Sequence, residues 1–126
     1  MGWFSKLFKS GPHFRTVIER LELQPGLSVE VIAEENLTPG AEQILADWPR
    51  VAPEIEACAL EARDNYLDGK IDQSTIWSTM WKPSLHYRGP GNYQLTCRFD
   101  WQSPDDGHSC TFYVENFQGR GMSVDG

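Results

Sequence analysis

Apolar and polar residues alternate most regularly in the last third of the chain. Tyr93, Leu95, Cys97, Phe99 and Trp101 fall on one parity, and Gln94, Thr96, Arg98, Asp100 and Gln102 on the other. Successive side chains of a strand point to opposite faces of a sheet, so this pattern predicts a half-buried strand. The run SPDDG at 103–107 then supplies turn chemistry. Proline fixes φ, aspartates bond their own backbone, and glycine admits positive φ. Beyond the turn, His108, Cys110, Phe112 and Val114 alternate with Ser109, Thr111, Tyr113 and Glu115, which predicts a second strand. With residues 103–106 as the loop, Trp101 faces His108, Phe99 faces Cys110 and Cys97 faces Phe112. A slip of one residue would turn Thr111 and Tyr113 to the core, which burial disfavours. In this register Cys97 and Cys110 are diagonal neighbours, poorly aimed for a bridge.

Upstream, FRTVIERLEL at 14–23 fits either a strand or a helix on periodicity alone. The Pro25-Gly26 turn and the alternation over Ser28–Ala33 favour an antiparallel hairpin. Thr38 and Pro39 suit a helix cap and first helical position, opening a helix over 41–48 that Pro49 interrupts. A longer helix then runs from Pro53 to about Leu67 and ends at Gly69. Its stripe of Ile55, Cys58, Ala59, Ala62 and Tyr66 is the face expected to lie on the sheet. Residues 72–83 predict a short helical turn that clusters Ile76, Trp77, Met80 and Trp81 and stops at Pro83. Leu85 and Tyr87 begin an edge strand, and a last short strand over Met122–Val124 follows a turn at Gln118-Gly119. The sum is an α+β domain over 12–126, an antiparallel sheet of N-terminal hairpin and C-terminal strands packed against a central helix.

Composition changes the picture in three ways. First, 126 residues with 40% apolar and 23% charged residues are enough for one domain with a real core. Second, a net charge of −7 argues against a phosphate-backbone binder, so no nucleic-acid partner is expected, and it suits a basic protein partner. Third, the three cysteines are an odd number without a secretory signal, which fits reduced thiols in the cytoplasm. No run approaches the ~18 consecutive apolar residues of a membrane span. Residues 1–11 form an amphipathic segment, with Trp3, Phe4, Leu7 and Phe8 on one helical face and Lys6 and Lys9 beside it. That segment is expected to dock loosely on the domain, with contact of residues 1–9 with a membrane surface as the alternative.

Candidate chemistry is sparse. Asp105, Asp106 and His108, with Asp100 nearby, are ligand-type groups, but their spacing matches neither a calcium loop nor a zinc motif. An acidic hairpin tip is the expectation, with no metal. No G-x-S-x-G, H-E-x-x-H, phosphate-binding loop or dinucleotide fingerprint occurs, so no catalytic residue and no cofactor are expected. His13, His86 and His108 are expected to be structural or exposed. Trp77 and Trp81 stand four residues apart, a spacing that suits core packing or a partner-facing anchor.

From Trp77 onward the order W-x-x-M-W-K-P-S-L-H is followed by a strand ending Asp100-Trp101, an acidic loop with His108, and a final hairpin ending in Gly. This order resembles a widespread family of small bacterial domains that close on an Asp-Trp-Asp-x-Glu-His-Gly hairpin. Here SPDDGHS stands in place of D-x-E-H-G, so the acidic residues and glycine are shifted. Members of the family often lie beside polymorphic toxins and are regarded as immunity proteins. The resemblance implies a helix over an antiparallel sheet and a role in neutralising a toxin made by the same cell. The expected partner is thus a cognate toxin or effector of basic character. Expected contact residues are Asp100, Asp105 and Asp106 at the hairpin tip, Arg98 on the polar face, and Trp81 and Tyr87 near the rim. A membrane or secretion-system adaptor is the alternative, and a hydrolase with a dispersed site the third reading.

Overall fold

A computed structural model describes residues 15–34, 41–67, 69, 71–103, 105 and 107–125. The expectations for residues 1–11, for the cap at 38–39 and for Asp106 lie outside them. The elements follow in the order β1 (Arg15–Gln24), β2 (Leu27–Glu34), α1 (Ala41–Tyr66), β3 (Met80–Tyr87), β4 (Tyr93–Phe99), β5 (Ser109–Glu115) and β6 (Gln118–Asp125). Among the described residues they make an α+β fold, one helix against a six-stranded sheet whose spatial order is the chain order.

All neighbouring strands are antiparallel except β2 and β3, which run parallel with Val31 opposite Leu85 and Ala33 opposite Tyr87. A parallel pair needs a long crossover, and α1 with the following turns supplies it. β3 is therefore an interior strand between β2 and β4, not the expected edge strand. Its inward residues Leu85 and Tyr87 meet Leu95 and Tyr93, and all four are buried.

The helix runs unbroken through Pro49 and Pro53, where the sequence predicts two helices. Each proline removes one bond to the carbonyl four residues earlier. Leu45, Pro49 and Pro53 all lie on the exposed face, where water can take the freed carbonyls. On the opposite face Ile44, Trp48, Val51, Ile55, Cys58, Ala59 and Ala62 are buried against the sheet. Trp48 donates its Nε1–H to Gln24 Oε1 at 2.9 Å, and Tyr93 donates its hydroxyl to Asp47 Oδ2 at 2.6 Å. These bonds tie the two ends of the sheet to the first half of the helix.

The expected register of β4 and β5 is corrected by two residues: Cys97 stands opposite Cys110 and Leu95 opposite Phe112. A shift of two keeps every side chain on its face, so burial does not discriminate between the two pairings. The connecting loop is longer than expected, running from Asp100 to His108. Asp100 N–H donates to the Thr79 carbonyl at 2.8 Å, and Arg88 N–H to the Asn92 carbonyl at 2.8 Å. Even residues of β4 thus turn their peptide groups to β3 and odd residues to β5. Cys97 and Cys110 are consequently a hydrogen-bonded pair, the type whose side chains stand farther apart. All three cysteines are buried, and burial pushes the Cys97 and Cys58 thiols up. Native protein is expected to leave a thiol reagent such as an aromatic disulfide unconsumed, with all three thiols reacting once the chain unfolds. Rapid modification of the folded protein would contradict this packing.

Residues 73–79 form the expected short turn, with Ile76 N–H bonded to the Asp72 carbonyl at 3.0 Å and Thr79 N–H to the Thr75 carbonyl at 3.1 Å, but it ends before Pro83 because β3 starts at Met80. Asp72 Oδ1 accepts bonds from Ser74 N–H at 2.9 Å, Ser74 Oγ at 2.6 Å and Thr75 N–H at 3.1 Å. The Ser74 bonds, above all, hold the Asp72 carboxyl below its usual range. Its stabilising effect is therefore present above the unfolded-state value of about 4 and lost as pH falls through the lower folded one. Asp72→Ala is expected to destabilise the protein at neutral pH and to match the wild type in strong acid. Denaturant titrations at both pH values check this, and a pH-independent difference would contradict it. The same turns place Trp77 edge-on to Trp48, with ring centroids 5.4 Å apart, and its Nε1–H donates to Glu56 Oε2 at 2.6 Å.

The last hairpin turns at Asn116-Phe117, two residues before the expected position, and β6 is correspondingly longer. Both turn residues have positive φ, 54° and 61°, the conformation that two-residue hairpins require.

Candidate functional site

At the start of β3 the chain departs from regular pairing. Trp81 stands opposite Arg98, but the next registered pair is Ser84 with Thr96, which leaves one extra residue on β3. Lys82 sits in this bulge with φ of +49° and immediately precedes Pro83. For an L-residue this conformation costs about 1–2 kcal/mol, and such strain concentrates at binding and catalytic sites. The bulge also reverses the parity of the strand. Leu85 and Tyr87 point to the core, whereas Trp81, with the same parity in sequence, shares the open face with Arg98. Re-aiming a side chain is what bulges commonly do. Trp81 consequently keeps 49% of its surface exposed, and Lys82 Nζ lies 4.6 Å from its ring centroid.

The facing wall is held by short polar links. Arg98 Nη2 donates to the Ser103 carbonyl at 3.0 Å, which fixes the guanidinium against the loop. Gln102 Oε1 accepts the Phe99 N–H at 2.7 Å, and Gln102 Nε2 donates to the His108 carbonyl at 3.3 Å. Phe99 is buried below and stacks on Trp101 at 5.6 Å. Between these walls lies a hollow of about 360 Å3 lined by Trp81, Arg98, Phe99, Asp100 and Gln102. Its lining offers an aromatic plane, a fixed guanidinium and an exposed carboxylate. Relief of the bulge strain by Lys82→Gly is expected to raise stability by about 1 kcal/mol, read from the denaturation midpoint. A loss of stability would show that Lys82 is not strained.

Of the six contact residues expected from sequence, Trp81, Arg98 and Asp100 meet in this hollow. Asp105 is exposed on the neighbouring loop, with its N–H donating to Ser103 Oγ at 3.3 Å, and does not line the hollow. Asp106 lies outside the described residues. Tyr87 is no rim residue. It is buried at the far end of β3, receives a bond from Gln43 Nε2 at 3.3 Å, and packs edge-on to Tyr93 at 5.5 Å. Its parity, unaltered beyond the bulge, keeps it on the core face. Lys82, Phe99 and Gln102 were not read as site residues from sequence. A lysine before proline carries no sign of a bulge, and Phe99 and Gln102 enter through the turn geometry of the loop.

A second hollow, of about 430 Å3, lies by the β3–β4 turn and is lined by Arg88, Asn92, Tyr93, Gln94, Tyr113, Val114 and Glu115. Its polar groups are partly committed: Asn92 Oδ1 accepts the Asn116 N–H at 2.8 Å, and Tyr113 shares a 2.8 Å hydroxyl bond with Ser123. Among the described residues no His, Cys, Asp and Glu side chains gather in a group able to hold a metal ion. Also among them, no helix is long and apolar enough to cross a membrane. No family model matches the chain, and neither a curated protein nor a solved structure matches it.

Proposed function

We propose that this chain is a non-catalytic binding protein, a cytoplasmic immunity protein that neutralises a cognate bacterial toxin by direct contact. The observation that carries the reading is Trp81, held half-exposed by a strained bulge beside a hollow with Arg98 and Asp100 on its rim. Tryptophan and arginine are the residues most enriched at interface hot spots, and a nearby concavity lets a partner side chain interlock with them. A net charge of −7 favours a basic partner, whose encounter rate it would raise. The resemblance of residues 77–126 to toxin-associated immunity domains supplies the biological setting. Affinity capture from the native cell, followed by expression of each captured protein in cells lacking this chain, tests the proposal. A captured protein that kills those cells, and spares them when this chain is co-expressed, is the expected result. Captured partners that are all harmless would overturn it.

A further inference from the structure

We infer that the outer edge of β6 is a second docking site, which takes an extended basic segment of a partner protein as an added strand. The inference stands apart from the Trp81 surface. β6 is the last strand of the sheet, and among the described residues nothing pairs with its far side. Peptide direction follows from the ladder. The even residues of β5 (Cys110, Phe112, Val114) face β4, so its odd residues bond β6, pairing Thr111 with Ser123 and Tyr113 with Gly121. The N–H and C=O groups of Met122 and Val124 therefore point away from the sheet.

Across the register shift at Tyr113/Val114 the outward position becomes Gly119, and there Glu54 Oε1 accepts the N–H at 2.8 Å. The helix thus already covers the first outward donor of this edge with a carboxylate. From Gly121 to Asp125 the strand has no proline or lysine of the kind that blunts natural edges. On the helix side, Met122 is half-buried opposite Phe112, and Val124 is 40% exposed opposite Cys110. An added strand would cover both side chains.

Charge selects the occupant. A Cβ at Gly119 would stand 2.9 Å from Cys58 Sγ, so helix and edge are in close contact there. Glu54 and Glu61 are near enough to Cys58 to disfavour its thiolate. Glu54 therefore sets a helix carboxylate against the edge, with Glu61 acting on the same cysteine, against one strand cation, Arg120, which is paired with Glu115 at 3.6 Å. A second copy would bring the same carboxylates against their own kind. A strand with lysine or arginine on its helix-facing side meets them with opposite charge, and strand addition reads alternate side chains in this way.

The test uses the full chain, isotope-labelled, titrated with a capped peptide alternating valine and lysine and followed by amide shifts and hydrogen exchange. Protection centred on the Met122 and Val124 amides, absent with a valine–glutamate peptide, is the expected result. Val124→Pro deletes one outward donor, leaves the Ser123–Thr111 pairing intact, and should weaken binding about tenfold. Glu61→Lys, on the exposed helix surface, should weaken it about threefold and decides the matter if the proline variant does not fold. Failure of the lysine peptide to bind, equal binding of the glutamate peptide, shifts centred elsewhere, or unchanged affinity of the folded variants would overturn the inference. So would a dimer whose β6 amides are protected without peptide.

Discussion

Truncation of Phe112 to alanine is expected to remove about 3–5 kcal/mol of folding stability. Phe112 has no exposed surface and lies in the middle of β5, opposite Leu95 on one side and Met122 on the other. The helix packs on β5 and β6, so the ring fills the space between sheet and helix and leaves a cavity when removed. Neighbours on two sides are backbone-anchored strands, which limits their collapse into the void. A domain of this size has about 5–15 kcal/mol in total, so the variant should unfold at a much lower denaturant concentration with an unchanged slope. A loss below about 1 kcal/mol would mean that the centre of the sheet is not packed as described.

Trp81→Ala is expected to act oppositely, with folding stability within about 0.5 kcal/mol of wild type and partner affinity lower by at least about 2 kcal/mol. The second figure is a weakening of about thirtyfold. Nearly half the indole is exposed, and its cation contact is with the adjacent Lys82, so the fold loses little. The partner would lose its aromatic anchor and the wall of the hollow. Calorimetric titration of purified partner, beside denaturation of the free variant, separates the two effects. A large loss of stability with unchanged affinity would reverse the assignment.

What was legible in the sequence is what depends on parity. The alternation at 93–99 and 109–115 placed Leu95, Cys97, Phe99, Cys110, Phe112 and Val114 on the core face, and all six are buried. Parity is blind to shifts of two, so the pairing of Cys97 with Phe112 was replaced by Cys97 with Cys110. It is also blind to a bulge. One extra residue at Lys82 sends Trp81 to the open face, while Tyr87, expected on the rim, stays inside. The helix exposes a different limit. Pro49 and Pro53 break helices only where their lost bonds have no substitute, and here they fall on the solvent face. The interior position of β3 was hidden because its parallel partner, β2, is far away in sequence and reached only through the crossover. Arg98 and Asp100 share one parity in sequence and both line the hollow, whereas Lys82 and Gln102 depend on backbone geometry that composition does not encode.

The proposed neutralisation of a toxin through the Trp81 surface can be measured in cells. Survival of toxin-expressing cells that carry either the wild-type chain or Trp81→Ala, at equal soluble abundance, measures this most directly. The wild type is expected to protect the cells, and the folded variant is expected not to. Equal protection by the two would contradict it.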